Sequence, residues 1–174
     1  MFRSVALPER VSGYLYLHSM PGRYESFQEA RDEIARCKIE CVIRLTSLEE
    51  VRHKSHAYAL AIEAGQLPWI EVVFPVPDFD APQGKDLPRF LALAKNVANH
   101  LINGKSILIH CGAGIGRTGT LAICVLIALR MCPEKAEAVV KKAESGPEAE
   151  SQKEVIEWVA EKICKGFKSG FDPC

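Results

Sequence analysis

The chain has 174 residues, 48% of them hydrophobic and 25% charged, which suits a globular protein able to bury a core without covalent staples. Its 22 Lys+Arg balance 22 Asp+Glu, so function through bulk charge on nucleic acid or a membrane surface is excluded, and neither partner is expected. The seven cysteines, at 37, 41, 111, 124, 132, 164 and 174, have neither metal-ligand spacing nor the look of a secreted disulfide framework. The N-terminus has no apolar signal-peptide core, and the longest apolar run, 121–129, is too short for a bilayer. A cytoplasmic protein with reduced thiols is the expectation.

In chain order, GYLYL (13–17) predicts a short strand and SMPGRY a turn. Residues 26–36 have helical spacing, with Ser26 as N-cap and Glu29 completing a capping box. IECVIRL (39–45) reads as a buried strand, 48–64 as one helix ended by Gly65, and WIEVVF (69–74) as another strand. The loop PVPDFDAPQGKDLP holds four prolines. Then come a periodic helix over 87–101, a strand over 106–110 and an apolar helix over 117–131. Pro133 opens a further helix at its first position, Gly146-Pro147 ends it, and 150–164 forms a last amphipathic helix.

Strands alternating with helices predict an α/β fold. Its central, mainly parallel sheet should have four to five strands flanked by helices, with a C-terminal helical cluster. One domain over 1–168, a mobile tail over 169–174 and a monomer are expected. The strand SILIH is nearly all apolar, as a strand covered on both faces must be. Ligand sites in such sheets lie at the carboxyl ends of strands, where residues 110–118 fall.

Those residues admit two readings. Gly114, Gly116 and Gly119 form GxGxxG between a strand and a helix, the local order of a dinucleotide fingerprint. That reading needs a second strand ending in an acidic residue about 20 positions on. The sequence there, AEAVVKKAES, reads as a helix. A Walker A loop fails as well, since Gly116-Arg117-Thr118 lacks its lysine and the first glycine is misplaced. The other reading makes Cys111 a nucleophile, with Arg117 six positions on. The N–H groups of 112–117 then converge over a helix N-terminus and bind a tetrahedral dianion. Glycines at 112, 114 and 116 let the backbone approach the anion, and the same positive field favours the thiolate. Arg117 offers a planar fork to two phosphate oxygens. Thr118 can donate to the sulfur, and His110 is placed to fix the loop from behind. Cys124, in the following helix, reads as a small buried hydrophobe.

HCGAGIGRTGT resembles the signature of the cysteine-dependent protein tyrosine phosphatase superfamily, His-Cys-x5-Arg-Ser/Thr. GYLYLHSMPG and IECVIRLTS extend the resemblance to the small atypical dual-specificity phosphatases over most of the chain. The resemblance implies a dual-specificity phosphatase-like fold and phosphate ester hydrolysis through a cysteinyl-phosphate, with no metal or cofactor. The substrate it implies is a phosphoprotein or phosphopeptide carrying phosphotyrosine and also phosphoserine or phosphothreonine.

A general acid is then needed on a loop that can close over phosphate. PVPDFDAP is that loop, and the family frame favours Asp78 over its rival Asp80. Glu148 and Gln152, in SGPEAESQKEV, match the region that places the attacking water. Glu148 departs from the glutamine usual in tyrosine-specific enzymes. Arg44 reads as a structural ion pair, and His53 and His56 as solvent-facing. No tyrosine-recognition motif is found within 46–68, which favours a shallow site. Two alternatives stand beside this reading. One is a phosphatase for a phosphoinositide, inositol phosphate or RNA 5′ end, against which Gly112, Ala113 and Ile115 are uncharged. The other is a non-catalytic phosphate-binding module.

Overall fold

The computed structural model describes residues 2–165. Five strands form one sheet: β1 (Arg3–Val5), β2 (Tyr14–His18), β3 (Cys41–Arg44), β4 (Ile70–Val73) and β5 (Ser106–His110), in the order β1-β2-β5-β3-β4. The pairs β2–β5, β5–β3 and β3–β4 are parallel, and β1 lies antiparallel on the β2 edge. This is the mainly parallel sheet that the alternating pattern predicts. The strand the pattern does not predict is β1, because three residues, RSV, are too few to show a two-residue period. β5 is buried at all five positions, as its apolar composition requires of a central strand.

Among the described residues, seven helices accompany the sheet: α1 (Phe27–Arg36), α2 (Leu48–Lys54), α3 (His56–Glu63), α4 (Asp86–Ile102), α5 (Gly116–Ala128), α6 (Pro133–Lys142) and α7 (Glu150–Lys165). Successive residues of β5 feed two cores, as the pleat dictates. Ile107 and Ile109 join Leu93, Val97, Leu121, Val125 and Val159 from α4, α5 and α7. Leu108 joins Ile34, Val51 and Tyr58 on the other face. α5 is buried from Gly116 to Ile127 and packs against α4, α6 and α7, which makes it the centre of the C-terminal helical cluster.

The capping box forms as expected, with Ser26 accepting from the Glu29 N–H and the Glu29 carboxylate accepting from the Ser26 N–H. The helix expected over 48–64 breaks at Ser55. Its hydroxyl donates to the Pro21 carbonyl at 2.8 Å, a tertiary bond that local spacing cannot reveal. Cys37, Cys41, Cys111, Cys124 and Cys164 carry free thiols; Cys132 does not. No helix among the described residues is long and apolar enough to cross a membrane. The tail expected at 169–174 lies outside the described residues.

Candidate active site

The register pairs His110 with both His18 and Arg44, so β2, β5 and β3 end level. The chain leaves β5 at Cys111, turns through 112–115 and enters α5 at Gly116. Gly114 makes this turn with φ +79°, and a Cβ there would strike the His18 carbonyl, so both backbone and space require glycine. The Gly114 N–H points back to Cys111 Sγ at 3.2 Å. The Gly112 carbonyl is tied to the Met20 N–H at 3.2 Å. Cys111 is 2% exposed and lies at the start of the turn that leads into α5. A thiolate there has an amide donor already directed at it, and the helix end favours negative charge.

Arg117 is held tightly. Nη1 donates to Glu50 Oε2 at 2.8 Å and to the Val76 carbonyl at 2.9 Å. Nη2 donates to Glu50 Oε1 at 2.9 Å and pairs with Asp78 Oδ1 at 2.8 Å. Nε is buried with no hydrogen-bond partner among the described residues. The guanidinium is therefore oriented through its tip, with its inner N–H left for a ligand. Burial pulls the Arg117 guanidinium down, but hydrogen bonds and charges from Glu50, Cys111 and Asp78 outweigh this and raise it, so it stays cationic. Lys54 joins the cluster, 2.7 Å from Glu50 Oε1 and 3.5 Å from Asp78 Oδ2.

The two acid candidates separate clearly. Asp78 reaches the cluster through Arg117 and Lys54. Asp80 turns away, and its Oδ1 accepts from the Ala81 N–H at 2.8 Å and Gln83 Nε2 at 3.3 Å, the habit of a turn aspartate. The two water-placing candidates separate too. Glu148 Oε2 accepts from the Gly116 N–H at 2.8 Å, directly on the loop. Gln152 is 1% exposed, with both ends of its amide engaged. Oε1 accepts from the Glu148 N–H at 2.8 Å, and Nε2 donates to the Asp80 carbonyl at 3.1 Å. Gln152 thus ties the segment carrying Glu148 to the loop carrying Asp78.

His110 Nδ1 lies 3.2 Å from the Cys111 carbonyl, and Nε2 lies 3.2 Å from the Tyr58 hydroxyl, which also bonds Glu71. Burial, together with the charges of Arg44, His18 and Arg117, drives the ring down to about 3 against the opposing bond to the Cys111 carbonyl, so it stays neutral. Both nitrogens are committed away from the sulfur. Arg44 forms the expected ion pair, with Nε 3.2 Å from Glu71 Oε2. His53 and His56 are exposed. Thr118 Oγ1 is buried and forms no hydrogen bond with the described residues, so the donation expected from it to Cys111 is not made in this state.

Four participants escape sequence reasoning. Glu50 stands three residues after Ser47, the N-cap of α2. Ser47 does accept from the Glu50 N–H at 3.1 Å, but the carboxylate is spent on Arg117. Lys54 lies one turn further along α2. Arg3 belongs to the strand that was not predicted, and Nη2 donates to the Gly114 carbonyl at 2.5 Å. Ser145 Oγ lies 2.9 Å from both the Gly114 and Ile115 carbonyls.

A family model described as Tc-R-P, a polymorphic toxin system DSP-PTPase phosphatase, matches residues 18–130, a stretch holding Asp78, Cys111 and Arg117. The chain belongs to the DSP-PTPase phosphatase family. Membership places it among cysteine-dependent phosphatases. Mouse tyrosine-protein phosphatase non-receptor type 13 is 33% identical over 102 residues, 55% of this chain and 3% of that protein. The chain therefore spans a small fraction of the length of the curated relative it matches. Among solved structures, Tk-PTP in its active form is similar with a TM-score of 0.71 at 24% identity, covering 92% of this chain and 97% of that one. A kinase-associated phosphatase with serine for its catalytic cysteine gives 0.78 at 19%, covering 94% and 95%. Human DUSP28 gives 0.65 at 18%, covering 92% and 95%. These neighbours carry the dual-specificity phosphatase fold expected of a DSP-PTPase phosphatase.

Proposed function

We propose that residues 1–168 form a metal-independent phosphatase domain that acts on phosphotyrosine, and on phosphoserine and phosphothreonine, in protein substrates. The observation that carries this reading is Cys111 Sγ, met by the Gly114 N–H, together with an Arg117 whose buried Nε has no partner among the described residues. The N–H groups of 112–117 and Arg117 hold the three non-bridging oxygens. The Cys111 thiolate forms an S–P bond as the ester O–P bond breaks, and Asp78 passes its proton to the leaving oxygen. Water then attacks phosphorus and gives its proton to Asp78. The S–P bond breaks, phosphate leaves and the thiolate is regenerated. Glu148 lies nearest to orient that water, and Gln152 supports it.

Dual specificity is supported by the absence of an aromatic wall from 46–68. That stretch is largely α2 and α3, and its one aromatic, Tyr58, is fully buried. The reading of a non-protein ester draws support from a neighbour solved in complex with PI(5)P, with a TM-score of 0.68 at 19% identity. The uncharged Gly112, Ala113 and Ile115 weigh against a polyanionic substrate.

A turnover panel of phosphotyrosine peptide, phosphoserine peptide and phosphoinositide tests the assignment, with wild type and Cys111→Ser compared in EDTA. Phosphotyrosine peptide is expected to turn over fastest, wild type to survive EDTA and Cys111→Ser to be inert. Wild-type turnover by Cys111→Ser would overturn the reading, and preference for phosphoinositide would move it to the non-protein class.

A further inference from the structure

The Gly114–Ile115 peptide lies at the crest of the phosphate loop, and its carbonyl is pulled outward by two donors. Arg3 Nη2 donates to it at 2.5 Å and Ser145 Oγ at 2.9 Å. In a trans peptide the carbonyl and the following N–H point in opposite directions. Fixing the Gly114 carbonyl outward therefore fixes the Ile115 N–H inward, on the side where the Gly114 N–H already meets Cys111 Sγ. The Arg3 fork is itself braced, since Nη1 donates to the Glu144 carbonyl at 2.6 Å. The guanidinium thus clamps the loop to the end of α6 from the edge strand β1.

Resting on the phosphatase reading above, we propose that Arg3 is a positioning residue of the phosphate loop, holding the Ile115 N–H toward the phosphate site and adding positive charge behind Cys111. Glycine at 114, with φ +79°, gives this peptide a conformation that its own sequence does not enforce, so an external latch has something to hold. The Arg3 charge lies within reach of the sulfur. Burial pulls the Arg3 guanidinium down from its ordinary value, while Glu144 and the Cys111 sulfur pull it back up. The other charged and titratable groups around the loop are Arg117 on α5, Glu50 and Lys54 on α2, Asp78 and Glu148 on their own segments, His110, neutral, on β5, Glu144 after α6, and His18 on β2, which burial lowers and Glu25 pulls back up. Glu50 already engages Arg117 and Lys54. Arg3 meets carbonyl oxygens at its two hydrogen bonds, and the Glu144 carboxylate nearby offsets part of its charge.

The test is the pH dependence of Cys111 alkylation by iodoacetamide, followed by mass spectrometry in wild type, Arg3→Met, Arg3→Gln and Arg3→Lys. Loss of the charge in Arg3→Met and Arg3→Gln should move the alkylation midpoint upward by about one pH unit, while Arg3→Lys stays near wild type. For kcat/KM on an aryl phosphate, the loss in Arg3→Met should be about tenfold on the acid side of that midpoint and shrink above it. A latch with only a structural role would lower activity alike at every pH and leave the midpoint in place. Should Arg3→Met fail to fold, Arg3→Gln reads the same midpoint with two donors kept. Superimposable alkylation curves for wild type and the charge-removing variants would overturn the proposal. The alkylation readout needs no turnover, so a wild-type protein without phosphatase activity would sink the functional reading separately.

Discussion

Glu50 grips both terminal nitrogens of Arg117, at 2.8 and 2.9 Å, from a helix 67 positions earlier in the chain. Burial alone would push the Glu50 carboxyl up, but hydrogen bonds from Arg117 and Lys54 reverse this and hold it down to about 2. A depressed carboxyl contributes stability that is complete above its ordinary value of 4.5 and is lost as pH falls through about 2. Turnover at neutral and mildly acidic pH therefore never sees this group titrate. Glu50→Gln keeps the shape but frees one arm of the guanidinium. It should lower kcat/KM about a hundredfold through misplacement of Arg117. Steady-state kinetics on an aryl phosphate, beside an unchanged far-ultraviolet dichroism spectrum, checks it.

Asp78 and Asp80 make opposite commitments, one to Arg117 and Lys54 and the other to its own turn. Asp78→Asn should cost roughly 10²–10⁴ in kcat on a phosphate ester with a basic leaving group, the range for loss of a general acid. The cost should be much smaller with nitrophenolate, which departs without a proton. Asp80→Asn should stay within a few-fold of wild type on both. Equal losses in the two variants would reverse the assignment.

The difference between Asp78 and Asp80 marks where sequence stops being informative. A local motif placed Cys111 and Arg117, because strand, glycine turn and helix follow one another and all their geometry is short-range. The same holds for the capping box of α1. Glu50, Lys54, Arg3 and Ser145 were out of reach because each meets the loop only across the folded chain. Arg3 and the Gly114 carbonyl are separated by 111 positions. Glu148 and Gln152 were visible as a pair, yet their division of labour was not. It depends on Gln152 being buried and bonded to Asp80, which spacing along the chain does not encode.

Glu148 places a carboxylate on the Gly116 N–H, which under the proposed mechanism faces the bound dianion. Glu148→Gln preserves an acceptor for that N–H and removes the repulsion. Inorganic phosphate should then inhibit about fivefold more strongly, the effect of ~1 kcal/mol between unit charges near 4 Å in watery surroundings. Decay of the cysteinyl-phosphate should slow in the same variant, visible as a larger stopped-flow burst of nitrophenolate. Identical phosphate inhibition in variant and wild type would count against a place for Glu148 at the anion.

Gly119 is the point where α5 touches the turn that carries Ser145 and Glu148. A Cβ there would meet the Gly146 Cα at 2.5 Å and its carbonyl carbon at 3.0 Å, both backbone atoms with no rotamer to yield. Gly119→Ala should cost about 1–3 kcal/mol by overpacking. For a chain of this size that lowers Tm by roughly 5 °C. Gly146→Ala is the control, since a Cβ at 146 meets nothing within 4 Å and should leave Tm in place. Scanning calorimetry on the two variants separates a clash at 119 from a general intolerance of alanine in this region.

His110 supplies the clearest pH signature. Burial chiefly holds its folded value at about 3, against an ordinary value of 6.5. Because the folded ring cannot take up a proton that the unfolded chain accepts, stability is full above 6.5 and falls at lower pH. The loss is about 1.4 kcal/mol for each pH unit down to the folded value. Wild type should therefore lose stability steadily between pH 6 and pH 4. His110→Asn offers a donor and an acceptor but no titrating ring, so its decline over that interval should be shallower, even if it starts less stable. Urea unfolding at pH 7 and at pH 4 for both proteins measures the two slopes. Parallel slopes would mean that His110 takes up its proton in the folded state, which its complete burial argues against.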